Sequence, residues 1–134
     1  MRYLLDTNIC IYLIKKRPPI VLEKLKNAQP LGIGISSITL SELEYGVQKS
    51  KQVERNALNL FRFLTLFDVV SFDESAACLY GKIRATLESK GQLIGGMDML
   101  IGAHSLSMNT ILVTNNMREF KHIEGLQLEN WTKE

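Results

Sequence analysis

The sequence predicts an α/β layer fold with a mostly parallel central sheet. Short apolar strand segments alternate with longer amphipathic segments of helical period along the whole chain. No hairpin signal joins one strand to the next. Strands separated by helices need crossover connections, and those connections produce parallel pairs. At 134 residues a single domain, 1–134, with one core is expected.

The elements run in order. Arg2-Tyr3-Leu4-Leu5 reads as a short buried strand ending at Asp6. Thr7 or Asn8 then caps a helix with Ile9, Tyr12 and Leu13 on one side. Lys15-Lys16-Arg17-Pro18-Pro19 ends it, and Pro19 suits the first turn of a helix over 19–28, with Val21, Leu22 and Leu25 inward. Residues 31–35 form the second strand. Residues 37–50 are helical, with Leu40, Leu43 and Val47 on one stripe. A further helix covers 52–66, rich in residues such as Leu58, Phe61 and Leu64, and 69–72 is a strand. Asp73 offers an N-cap for a helix over 74–90, and Gly91 takes the position that closes it. After the Gly95-Gly96 break, a helix over 97–108 carries Leu100, Ile101, Ala103 and Leu106. The strand 110–113, a helical turn near Arg118-Glu119-Phe120 and a last strand over 126–128 complete the chain. There is no internal repeat, low-complexity tract or interdomain linker.

Composition excludes several classes. A chain 46% hydrophobic and 22% charged matches a soluble globular protein. No apolar run reaches the roughly 18 residues that span a bilayer. The opening MRYLLDTN lacks the continuous apolar core of a signal peptide, so a cytoplasmic protein is expected. Cys10 and Cys78 lie in apolar patterns and are expected to be buried thiols. Without a CxxC, and with two histidines, the chain does not favour a zinc site. The net charge of +2 predicts no strong nucleic-acid binding from electrostatics alone. An acidic pocket ringed by basic side chains, such as the Lys15-Lys16-Arg17 cluster, fits within such a total.

Four polar stretches interrupt the apolar pattern: Leu4-Leu5-Asp6-Thr7-Asn8, Ser41-Glu42-Leu43, Met97-Asp98-Met99 and Thr114-Asn115-Asn116. In open parallel sheets, function collects beyond the carboxyl ends of the strands. Asp6 and Asn116 each come directly after a strand. Asp98 opens the helix leading to a later strand, and Glu42 lies one turn into the helix after the second. All four therefore point to one edge. Each also has a simpler reading: Asp6 and Asp98 as helix caps, Glu42 as a solvated helix residue, Asn116 as a turn residue. Gathered together they form an acidic pocket that repels itself unless a divalent cation fills it. Carboxylate, carboxamide and water oxygens suit Mg²⁺ or Mn²⁺, with Mg–O distances of roughly 2.1 Å. Such a site supports phosphodiester cleavage.

With these residues in place, the chain resembles the PIN-domain ribonucleases of the VapC toxin type. The resemblance covers essentially the whole length, through LLDTNICIYLIK, ISSITLSELEYGVQKS, GGMDMLIGAHSL, ILVTNNMREF and the closing GLQLENW. It implies a PIN-like α/β/α sandwich with four to five strands. It implies a type II toxin–antitoxin endoribonuclease that cuts structured RNA, a transfer RNA anticodon loop or a ribosomal RNA loop, and so inhibits translation. The family's metal-binding acids carry over onto Asp6, Glu42 and Asp98. Its fourth catalytic position, often Asp, falls on Asn116, an oxygen donor without charge. Glu119 is the candidate to compensate. Thr7 and Asn8 are candidates to orient Asp6, and Thr114 to orient Asn116. The resemblance further implies a VapB-type antitoxin laid across a hydrophobic groove, lined in part by the helices at Ile9–Leu13 and 61–67. Toxin homodimers, and larger hetero-oligomers with antitoxin, are expected.

Lys82, Arg84, Lys90 and Arg118 are candidate RNA contacts, or simply solvated helix faces. His104 is six residues beyond Asp98 and so faces elsewhere; a packed or hydrogen-bonded role is expected. His122 is expected to be exposed, and Trp131 to anchor packing. Two other functions compete. One is a PIN-like module that binds without cutting, favoured by Asn116 alone. The other is an aspartyl-phosphate enzyme, which DTN disfavours for want of a second Asp.

Overall fold

The computed structural model describes residues 1–133. Five strands, β1 (Tyr3–Leu5), β2 (Ile33–Ser36), β3 (Asp68–Val70), β4 (Ile111–Val113) and β5 (Gln127–Glu129), form one sheet in the order β3-β2-β1-β4-β5. Every pairing is parallel. β1 is central, with Leu5 level with Ile35 on one side and Val113 on the other. Seven helices connect the strands: α1 (Thr7–Lys15), α2 (Pro19–Ala28), α3 (Ser37–Gln48), α4 (Val53–Leu64), α5 (Glu74–Ser89), α6 (Gly96–Ser107) and α7 (Met117–Phe120). The layered α/β reading holds.

Two apolar clusters lie on opposite faces of the sheet. Leu5, Ile35 and Val113 pack with α1–α4 in one. Leu4 and Leu112 pack with α5, α6 and Phe120 in the other. This is the period-2 alternation of strands covered on both faces. Trp131 is buried against Tyr3, edge to face at 5.6 Å between ring centres, as a packing anchor. Asp73 caps α5, accepting from the Ala76 N–H at 3.0 Å, and Gly91 lies just past that helix at φ 65°. Gly102 allows α6 to approach the segment after α7: a Cβ there would meet Ile123 Cδ1 at 2.6 Å.

Several expectations are corrected. The cap of α1 is Asp6, not Thr7 or Asn8; its carboxylate accepts the Ile9 N–H at 2.9 Å. Thr39 joins Leu43 and Val47 on the buried stripe of α3, displacing Leu40 to half-buried. On α4 the inward residues are Leu60 and Phe63, while Leu58 and Phe61 are exposed. Cys10 is buried, but Cys78 is exposed on α5. His122 is half-buried rather than exposed.

Candidate active site

β1, β2 and β4 end side by side, so the residues just past their carboxyl ends meet at one edge. Asp6 leaves the end of β1 and caps α1, which holds its carboxylate at the sheet edge while almost wholly buried. Its pKa is pushed up to about 6, first by burial, with added repulsion from Asp98 and Glu42; hydrogen bonds from Thr114 and Ile9 act against the shift. Asp98 lies in the first turn of α6 without capping it. Its pKa is raised too, by partial burial and then by Glu119 and Glu42, while a bond from Asn116 opposes the rise. These mutual repulsions place Asp6, Glu42, Asp98 and Glu119 in one electrostatic neighbourhood.

Short-range bonds organise the rest. The Thr7 hydroxyl donates to Glu42 Oε1, tying α1 to α3. Asn116 Nδ2 lies 3.3 Å from Asp98 Oδ2. The Thr114 hydroxyl oxygen, fully buried at the end of β4, accepts the Asn116 N–H at 2.9 Å. Thr114 therefore holds the Asn116 backbone and also bears on Asp6. Thr7 bonds to Glu42 rather than to Asp6, and Asn8 is exposed. Neither fills the Asp6-orienting role expected of it.

The donors are oxygens, and among the described residues none of the four acids forms an ion pair; the single salt bridge found joins Arg84 to Glu88. A self-repelling oxygen set without its own cation has the chemistry of a hard divalent-ion site. Among the described residues, no three His, Cys, Asp or Glu side chains already converge on an ion-sized point. The residues fit a metal by donor type and charge; closing onto it takes side-chain movement.

Basic residues divide into two groups. Lys15, Lys49 and Arg55 line a groove that runs from Glu42 between α1, α3 and α4, floored by Ile11, Ile14, Leu43, Val47 and Leu60. Lys82 and Lys90 instead line a separate groove beside His122, which contains none of the four site residues. Arg84 is engaged by the Tyr80 hydroxyl at 2.9 Å and by Glu88. Arg118 is exposed on α7, beside the Glu119 turn. Sequence reasoning does not single out Lys49 or Arg55; only their spacing after Glu42 on successive helices hints at them. A further groove lies between the helices expected to line one, with Leu13, Phe63 and Leu66 in its wall, while Ile9 belongs to the core and Phe61 faces solvent.

In sequence and fold the chain is similar to known proteins. A model of the PIN domain matches residues 3–126. Ribonuclease VapC2 of Rickettsia felis is 47% identical over 99% of this chain and 100% of its own length. The chain belongs to the VapC family of PIN-domain ribonucleases. The tRNA(fMet)-specific endonuclease VapC of Shigella flexneri is 42% identical over 98% of this chain and 99% of its own. The fold agrees with the solved VapBC2 complex of Rickettsia felis bound to a promoter DNA fragment, at TM-score 0.93 and 45% identity, covering 98% and 99% of the two chains. VapBC-1 from nontypeable Haemophilus influenzae aligns at TM-score 0.92 and 38% identity, covering 99% and 100%. This VapC-family chain is thus a nuclease, and PIN-domain ribonucleases are metal-dependent. None of its described helices is long and apolar enough to cross a membrane.

Proposed function

We propose that this chain is the toxin of a type II toxin–antitoxin pair, an Mg²⁺-dependent endoribonuclease that cuts a structured RNA. Mn²⁺ is the expected substitute ion. Asp6, Glu42 and Asp98 would hold the metal, and Asn116 would complete the site with its amide oxygen. The observation that carries the reading is the grouping of Asp6, Glu42, Asp98 and Asn116 where β1, β2 and β4 end, with none of these acids in an ion pair among the described residues. When bound, a divalent ion supplies charge that offsets the phosphate and makes water a better nucleophile.

The protein's own groups set the rest. Thr7 holds Glu42, and Thr114 holds the Asn116 backbone, so the oxygens reach the phosphodiester already oriented. Glu119 adds negative charge beside Asp98 and compensates for the neutral Asn116. Lys15, Lys49 and Arg55 are placed to bind RNA phosphates beside Glu42. Single-stranded loops suit a site that needs a splayed backbone. The Shigella relative is named for tRNA(fMet), so an initiator tRNA, cut in its anticodon loop, is the first substrate to test. Such a cut would stop translation.

The solved relatives are complexes named VapBC, which supports a VapB-type antitoxin as partner. The apolar floor of the Glu42 groove is the place for it. A toxin homodimer, a larger assembly with antitoxin and a cytoplasmic location complete the proposal. Sequencing RNA 5′ ends after brief induction of wild type and Asp98→Ala tests it. New ends at one tRNA loop in the wild type alone support the reading. Identical ends in both overturn it.

A further inference from the structure

We propose that His104 is a positioning residue: its hydrogen bond to Ser36 sets the relation between the helices that carry Glu42 and Asp98, and so tunes cation binding. The inference rests on the metal-site function proposed for this chain.

His104 sits on α6, fully buried, two turns beyond Asp98. A buried imidazole is costly unless both ring nitrogens are engaged. Nδ1 lies 2.7 Å from Ser36 Oγ. Ser36 is itself fully buried, caps α3, and its Oγ accepts the Ile38 N–H at 3.0 Å. The Ser36 hydroxyl keeps its hydrogen and a second lone pair, so the direction of its bond to Nδ1 is set by the other ring nitrogen. The Ser71 backbone acts on the ring in the sense that favours a ring N–H, which assigns the hydrogen to Nε2 and leaves Nδ1 to accept from Ser36. Burial holds the His104 pKa below the ordinary histidine value, against the opposing charge of Asp73, which keeps Nδ1 an acceptor.

The same corner is fastened twice more. The Phe72 ring meets His104 edge to face at 5.4 Å, and the Phe72 N–H donates to Ser37 Oγ at 3.0 Å. The start of α3, the last turn of α6 and the link from β3 to α5 are thus joined by directional contacts. Glu42 lies six residues along α3 from Ser36, and Asp98 six along α6 from His104. Six residues of helix are a rigid arm of about 9 Å. A change at the bond moves both carboxylates relative to each other, although neither touches it. An apolar side chain would fill the space without fixing this relation.

The test is Mn²⁺ binding to the full chain without RNA, monitored by electron paramagnetic resonance, with circular dichroism reporting the folded fraction. Asn at 104 places an oxygen near Nδ1 and keeps the Ser36 bond. Gln reaches only the Nε2 position and keeps the Ser71 bond alone. Ser36→Ala and His104→Gln should weaken Mn²⁺ about 10-fold, and His104→Asn should restore wild-type affinity. Because Ser36→Ala also removes the α3 cap, the His104 pair decides if that variant fails to fold. Equal affinity in folded wild type and His104→Gln would overturn the positioning role alone. So would a loss in His104→Asn as large as in His104→Gln, which marks mere packing. A wild type that binds no Mn²⁺ would overturn the metal reading and this inference with it.

Discussion

Asn116 donates its side-chain amide to Asp98, Nδ2 to Oδ2 at 3.3 Å, across the edge where β4 ends and α6 begins. A neutral residue therefore quiets a carboxylate that burial, Glu119 and Glu42 all push toward protonation. Replacing Asn116 with Asp exchanges this donor for a like charge. The metal-free protein should lose about 1–2 kcal/mol of stability, the cost of a lost charged hydrogen bond plus repulsion. Mn²⁺ should bind more tightly, with a second ion detectable by calorimetry. Unchanged stoichiometry and affinity would show that Asn116 does not face the metal.

The Thr7–Glu42 bond predicts a different phenotype. Thr7→Val keeps the shape of the side chain and removes the hydroxyl. The Mg²⁺ concentration for half-maximal cleavage should rise about 10-fold, while the unfolding free energy falls by only about 1 kcal/mol. A magnesium titration beside a urea melt separates the two effects.

Asp6 links the site to pH. Its folded pKa, about 6, stands above the ordinary 3.8, so the folded state keeps its proton longer than the unfolded chain. Its contribution to metal-free stability is therefore lost as pH rises from 3.8 to about 6, by about 3 kcal/mol, and is flat outside that window. Asp6→Asn should remove this slope yet keep the α1 cap. Asp6→Ala should remove both and cost about 1 kcal/mol more through the lost cap. Denaturant melts of the three proteins across that range check the sign.

What the sequence makes legible depends on the range of each signal. Strand–helix alternation, the Asp73 cap and Gly91 are local patterns, and they appear where expected. Asp6 and Asp98 are legible because each stands at the start of a helix, whereas Glu42 lies inside α3 and is marked only by its distance from β2. The α1 cap is not: Asp6, Thr7 and Asn8 are all good caps, and the choice depends on β1 ending at Leu5. Thr7 bonding to Glu42 spans 35 residues, so no local pattern carries it. Phe61 and Leu58 are apolar but exposed, because α4 turns Leu60 and Phe63 to the core. The basic groove depends on how α3 and α4 pack, which spacing along the chain does not encode.

Lys49 and Arg55 give the RNA prediction. Changing both to Ala should weaken RNA binding and reduce the slope of log affinity against log salt by about 1.4, two phosphate contacts at roughly 0.7 each. Lys82→Ala with Lys90→Ala, on the other groove, should leave the slope unchanged. Fluorescence anisotropy with a non-cleavable RNA across a salt series distinguishes them.

The central claim is that Asp6, Glu42, Asp98 and Asn116 act as one metal-dependent RNA-cleaving site. Its most direct test is cleavage of initiator tRNA by purified wild type and Asp98→Asn, each with Mg²⁺ and with a chelator. A single cut by the wild type with Mg²⁺, and none in the other three reactions, is the predicted result. Equal cutting by Asp98→Asn, or by the wild type in chelator, would contradict it.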